Sequence, residues 1–320
     1  MKIYSVFRYR YGRQLGLLVV ALVLLVFFMI TSPKVFLRPD IYVSFLTTVP
    51  FVGIMALGIT IVLISGEIDL SFPSVMALSG YVFATMFGFT GSVLLSLICS
   101  LFIGAVAGLC NGLLITKIGI PSIIVTLGMQ FLLRGIVNVL AEGLDMTLKG
   151  VASTLGYSFL VGKVGGILPA QSIWFLALSI IMWYILFRHN FGNNILFIGD
   201  NENAARMMGI NVDRTKILVF ILMALLAAFA GIIDSVRMRT WWPTMGEGYL
   251  MTTFATVFVG GTSMFGGEGT IFGTFVGAFL IGSLEAGIVA AGLTGFWTQF
   301  IYGLLIIIAV TLHTVVSQRY

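Results

Sequence analysis

Residues 213–236 read DRTKILVFILMALLAAFAGIIDSV. A charged start gives way to about twenty residues that are almost wholly apolar, the length that crosses a bilayer as one helix. Comparable runs recur on both sides, near 15–32, 43–65, 73–90, 93–116, 122–141, 172–187, 249–265, 270–291 and 296–315. The hydropathy pattern therefore predicts about ten spans. The whole chain of 320 residues is 59% hydrophobic and only 9% charged, where a soluble domain carries about 25% charged residues. Membrane β-barrels show short alternating segments, and these runs are continuous. The expected class is an all-α polytopic membrane protein formed as one transmembrane domain over 1–320, with no sign of a second, soluble domain.

Lysine and arginine set the expected orientation. Lys2, Arg8, Arg10 and Arg13 precede the first run, and Arg188, Arg206, Arg214 and Lys216 cluster in 188–216. Both regions are expected on the cytoplasmic side, and an even number of crossings separates them. Arg319 then puts the C-terminus inside as well, so the net charge of +5 reflects topology rather than a nucleic-acid partner. The first run is followed by Thr31, Ser32 and Pro33 instead of a cleavage site, so it reads as a span and not a signal peptide. The segment 142–170 falls outside as the longest non-spanning piece, a loop able to touch a partner or cover an entrance. Cys99 and Cys110 share one apolar run and read as small residues packed between helices. Gly104, Gly108 and Gly112, and likewise Gly273, Gly277 and Ser283, make faces where helices approach closely.

Between two runs the chain writes GDNENAARMMGINV, residues 199–212. Asn201 or Asp200 can cap a first turn, Glu202 and Arg206 suit the two ends of the dipole, and Gly209 supplies a left-handed exit. About two turns cannot stand alone. Such a helix is held by neighbours or offered to a partner.

Enzyme signatures are missing. No G-x-x-x-x-G-K-[ST], H-E-x-x-H or G-x-S-x-G occurs, and His189 and His313 are far apart, which argues against a P-loop ATPase, a metalloprotease or a serine hydrolase. Two polar breaks are better clues. GEIDLSFPS (66–74) places Glu67 and Asp69 between apolar runs. It reads either as a broken helix near a transport path or as a short turn in which Asp69 caps the next helix. GGTSMFGGEGTIFG (260–273), with Thr262, Ser263 and Glu268, reads equally as a solute site or a tight reversal. Arg134 lies inside a span and needs an anion, a carbonyl or a route to the interface. Trp241 and Trp242, after Arg237 and Arg239, read as an interfacial anchor. No spaced carboxylates form a proton or sodium relay, so the energy for transport is expected from another subunit.

Four ordered segments carry a resemblance over nearly the whole chain. ALGITIVLISGEIDLSFPSVMALSG (56–80), NGLLITKIGIPSIIVTLGMQFLLRGI (111–136), FGNNILFIGDNENAARMMGINVDRTKI (191–217) and VFVGGTSMFGGEGTIFGTFVGA (257–278) resemble the permease subunits of bacterial ATP-binding-cassette importers for monosaccharides, the ribose/xylose/galactose/autoinducer-2 group. The resemblance implies a type II importer-like fold of about ten helices with both termini cytoplasmic, in a bacterial inner membrane. It implies a second permease chain, identical or different, a cassette ATPase that binds ATP and Mg, and a periplasmic sugar-binding protein; the permease itself would hold no cofactor or metal and catalyse nothing. By matching position, Asn201, Glu202, Ala204, Ala205, Arg206 and Gly209 fall on the coupling helix that docks on the ATPase, within a cytoplasmic segment 188–216. Glu67, Asp69, Ser71, Asn111, Thr262 and Ser263 are the candidates for the substrate path. The alternative is an autonomous secondary transporter or channel for a small polar solute.

The chain departs from the family pattern at three places. Glu67 stands where the family's Gly-Gly-Ile-Asp has its second Gly, and Pro73 replaces a Gly. After Gly246-Glu247-Gly248-Tyr249 the sequence continues Leu250-Met251-Thr252, so two acidic positions of the family are gone. A heterodimer whose other chain keeps the acids, or a nonionic solute such as a polyol, would account for that loss.

Overall fold

A computed structural model describes residues 2–294 and 296–317. The side chains of Lys2, Arg8, Arg10, Arg13 and His313, and all of Arg319, lie outside what is described. In chain order the helices are α1 (Lys2–Thr31), α2 (Pro33–Phe36), α3 (Pro39–Ile64), α4 (Phe72–Thr90), α5 (Val93–Leu113, prolonged by a π turn Leu114–Ile118), α6 (Ser122–Ala141) and α7 (Leu155–Val161). They continue as α8 (Ala170–Arg188), α9 (Asn190–Asp200), α10 (Glu202–Met207), α11 (Val212–Met238), α12 (Tyr249–Val259), α13 (Ile271–Ala290) and α14 (Phe296–Ser317). Four two-residue strands, β1 (Met146–Thr147), β2 (Lys163–Val164), β3 (Leu168–Pro169) and β4 (Thr240–Trp241), form the antiparallel pairs β1–β4 and β2–β3. Among the described residues seven helices are long and apolar enough to cross a membrane, and Leu15–Thr31, Tyr249–Val259 and Phe296–Thr311 are shorter apolar helices.

The centre is α3 and α11. Their apolar residues run all round the helix, as expected of elements covered on every side, and most of both are buried. The α5 glycine stripe explains how closely α5 meets α11. A Cβ at Gly108 would lie 2.5 Å from the Phe220 carbonyl oxygen, and one at Gly112 2.7 Å from the Ile217 Cα. Gly277 lies against the Thr256 carbonyl in the same way, joining α13 to α12. Helices that come this close gain dispersion contacts that lipid cannot supply. Cys110 departs from expectation: it is exposed on α5, and both cysteines are free. Outward faces carry Phe102, Phe131, Val139 and Ile180, a surface suited to lipid tails.

The segment 142–170 is more than a plain loop. It folds as β1, a 3-10 turn, α7 and the β2–β3 hairpin, and β1 pins it to β4 through the Met146–Trp241 register. Trp241 is thereby fully buried and donates its indole N–H to the Ala77 carbonyl at 2.9 Å. It is a packing residue and not the interfacial anchor expected from sequence, because the β1–β4 pair and α4 enclose it.

Two interruptions position the site. The first follows α3. Residues 65–67 turn at the end of α3, with Gly66 at φ +81, and the chain then runs beside α6, where Ile68 donates to Ser122 Oγ and accepts from Thr126 Oγ1. Here α4 begins deep in the bundle: a Cβ on Gly231 of α11 would meet the Met76 carbonyl, about 28 Å of helical rise beyond Val212. The second interruption follows α11. Residues 240–248 fold back until Gly246 lies against the Pro73 carbonyl, and α12 starts there.

Candidate functional site

The short helix α10 forms as its residues dictate. Asn201 is the N-cap and accepts the Ala204 N–H at 3.0 Å, Glu202 and Arg206 sit at the favourable ends of the dipole, and Gly209 has φ +80. Ala205 is fully buried and packs with Ile198, Ile210 and Val212. Met207 and Met208 are 89% and 58% exposed, an apolar pair presented on a polar helix.

Six charged side chains tie this helix to three neighbouring elements. Lys117 at the end of the π turn pairs with Asp213 Oδ2 at 2.9 Å, and Asp213 Oδ1 with Arg206 at 3.1 Å. Arg206 pairs with Glu202 Oε1 at 2.9 Å, and Glu202 Oε2 with Lys216 Nζ at 2.7 Å. Lys216 also donates to Glu67 Oε1. The chain thus runs from the end of α5 through α10 and α11 to the break after α3. Lys216 and Glu67 are about one-tenth exposed, so this last pair is the least screened of the series. Burial pushes the Glu202 carboxyl up, but the hydrogen bonds from Lys216 and Arg206 outweigh it and hold the group below the usual carboxylate range.

Above Glu67 the break is fixed by hydrogen bonds. Asp69 Oδ1 accepts both the N–H and the hydroxyl of Ser71 at 2.7 Å, and Asn111 Nδ2 donates to Ser71 Oγ at 2.8 Å. All three residues are buried, and the Asn111 Oδ1 atom has no partner. Asp69 organises the start of α4 without being its N-cap, which is Ser71. Farther along, Arg134 of α6 donates to the carbonyls of Pro243 and Pro73. One guanidinium therefore joins the first turn of α4 to the returning segment 240–248, since its fork presents several donors in fixed directions. Of the three routes open to Arg134 in sequence, the structure takes the carbonyl.

The sequence candidates separate into groups. Glu67, Asp69, Ser71 and Asn111 come together along the first break. Thr262 and Ser263 lie apart in 260–270, which is a tight reversal. There the Ser263 N–H donates to the Glu268 carbonyl, Gly261, Gly266 and Gly267 have positive φ, and the Gly267 N–H donates to the Ile64 carbonyl. The Thr262 hydroxyl is buried without a partner. On α10, Asn201, Glu202, Ala204, Arg206 and Gly209 face outward at least in part, whereas Ala205 faces inward. Sequence reasoning missed three features: the Lys216 bridge, the exposed methionine pair and the returning segment 240–248. Pro243, Gly246 and Gly248 ahead of a short apolar run were the signal for the last.

Residues 41–310 match the family model described as branched-chain amino acid transport system / permease component. The ribose import permease protein RbsC of Escherichia coli is 34% identical over 92% of this chain and 91% of its own length. RbsC of Bacillus subtilis is 36% identical over 94% and 92%, and the fructose import permease protein FrcC of Rhizobium meliloti 32% over 92% and 83%. No solved structure matches the chain.

Proposed function

The chain belongs to this family of membrane permeases, and from that premise we propose that it is the spanning subunit of an ATP-driven importer for a monosaccharide or related polar solute. The solute would arrive on an extracytoplasmic binding protein and cross between this chain and a second permease in a bacterial inner membrane. ATP and Mg would be bound by a cassette ATPase on the cytoplasmic side, with no cofactor in this chain. The sugar class is carried over from relatives named as ribose and fructose import permeases.

The observation that carries the reading is α10. A two-turn helix is unstable alone, yet here it is capped, ion-paired and anchored by Ala205. Its exposed face offers Met207 and Met208, flexible apolar side chains that fit an irregular groove. A rigid helix is what transmits a push, and closure of the cassettes would bias the bundle between two packings through it. Along the path, the break at 65–71 would present Asp69, Ser71 and Asn111 to the solute, while Thr262 and Ser263 belong to the reversal beside it.

The test is recovery of the ATPase with tagged protein extracted in mild detergent. Met207→Asp combined with Met208→Asp changes only exposed positions, so the fold should persist. Recovery should drop at least about tenfold, equivalent to about 1.4 kcal/mol. Unchanged recovery would remove α10 from the docking surface.

A further inference from the structure

Lys216 is the one cation among the described residues that touches both α10 and the break after α3. Its ammonium pairs with Glu202 of α10 and with Glu67 of the 65–71 segment, and it is nearly buried. Glu67 gives that segment a charged handle. Residues 65–67 close the last turn of α3 through backbone bonds to 61–63, and 68–71 lie outside any helix. Its neighbours hold it through single contacts: Ser122, Thr126 and Asn111 by hydrogen bonds, Lys216 by charge.

We propose that Lys216 is a positioning residue that transmits displacement of α10 to the 65–71 segment through Glu67, so that the two elements move together. The proposal rests on the reading of α10 as the ATPase-docking helix. Three features support it. The chain Glu202–Lys216–Glu67 is short and its Glu67 end is shielded from water, where ion pairs are least weakened by salt. Arg206, itself paired with Asp213, holds Glu202 from the other side, which keeps that carboxylate from swinging away when α10 shifts. And residues 68–71 are continuous with the Asp69–Ser71–Asn111 cluster, so a pull at Glu67 acts directly on the polar groups at the start of α4. A merely structural salt bridge would be replaceable by a neutral pair. A transmitting one would not.

That difference sets the experiment. Hydrogen exchange is followed at 65–71 and at 201–208 in the complex captured through a tag on this chain, with and without a non-hydrolysed ATP analogue and Mg. In the wild type both segments should respond to the nucleotide. Lys216→Met alone strands the Glu67 charge, so the deciding variant is Glu67→Gln with Lys216→Met, which leaves no buried charge unpaired. In it α10 should respond as before, while the nucleotide-induced change at 65–71 falls by about fivefold or more. Lys216→Arg should keep the response at both segments. An undiminished response at 65–71 in the double variant overturns the proposal. Absence of any response at 201–208 in the wild type instead overturns the docking reading, and is seen before any variant is made.

Discussion

Residues 65–71 and 260–270 both interrupt apolar runs with polar and glycine-rich sequence, and they are held by opposite means. The first is held by side chains. Ser122, Thr126, Asn111 and Lys216 reach it from α5, α6 and α11. The second is held by backbone. Gly266 lies against the Gly199 carbonyl, Gly199 against the Ile64 carbonyl, and Gly273 against the Gly260 carbonyl. Side-chain contacts can be exchanged one at a time as a segment moves. Glycine-to-backbone contacts cannot, because any added atom collides with a group that has no rotamer to change. The comparison makes 65–71 the adjustable element and 260–270 its fixed abutment.

The largest expected effect is at the abutment. A Cβ at Gly199 would run into the Ile64 carbonyl and come within 2.6 Å of the Gly267 N–H. Gly199→Ala should cost about 3 kcal/mol or more, at the upper end of what overpacking does, read as a lowered unfolding temperature in detergent. Gly128→Ala is the control, since nothing lies within 4 Å of its Cβ. It should be neutral or stabilising by about 1 kcal/mol, the helix-propensity difference. Equal behaviour of the two variants would erase the distinction between a fixed and an adjustable break.

Just beyond the adjustable break the next effect is smaller. Arg134→Met leaves the buried Pro243 carbonyl without its donor, while the Pro73 carbonyl keeps its place in the α4 helix, at about 1–3 kcal/mol for the Pro243 group, partly offset because a charge no longer has to be buried. A net loss of about 2 kcal/mol is expected. Arg134→Lys should recover little of it, because a single ammonium lacks the fork that reaches two carbonyls. Full recovery by lysine would mean that charge, and not the bridge between the start of α4 and 240–248, is what matters at this position.

The sequence made the contrast only half visible. Span limits followed from local hydropathy, and 122–141 coincides with α6. The cap at Asn201 and the exit at Gly209 followed from local backbone chemistry. The helix expected over 249–265 stops at Val259, because apolar residues persist into the Gly-rich reversal and hydropathy cannot separate the two. Tertiary partners left no local trace. Glu67 and Lys216 are 149 residues apart, and nothing near either one names the other. Trp241 was misread for a related reason: its neighbours Arg237 and Arg239 mark a helix end, but the strand that covers it is made by residues 146–147. Arg134 was intermediate. Its need for a partner was legible, and the partner was not.

The smallest effect tests whether side-chain pinning extends from the break to α10 itself. The Glu202 carboxyl is held below its ordinary value of 4.5; burial opposes this, and the hydrogen bonds from Lys216 and Arg206 prevail. A carboxyl whose value is depressed by folding stabilises the fold above its unfolded value and ceases to do so as the pH falls through its folded value. Protection of the α10 amides from hydrogen exchange, corrected for intrinsic rates, should therefore exceed that of Glu202→Gln at neutral pH. The gap should be flat down to about pH 5 and close in more acid solution. Because Glu202 is substantially exposed, the gap should also narrow with salt. A gap that ignores both acid and salt would show that Ala205 and the Asn201 cap hold α10 without the ions, and that the side-chain pinning of the break stops at Lys216.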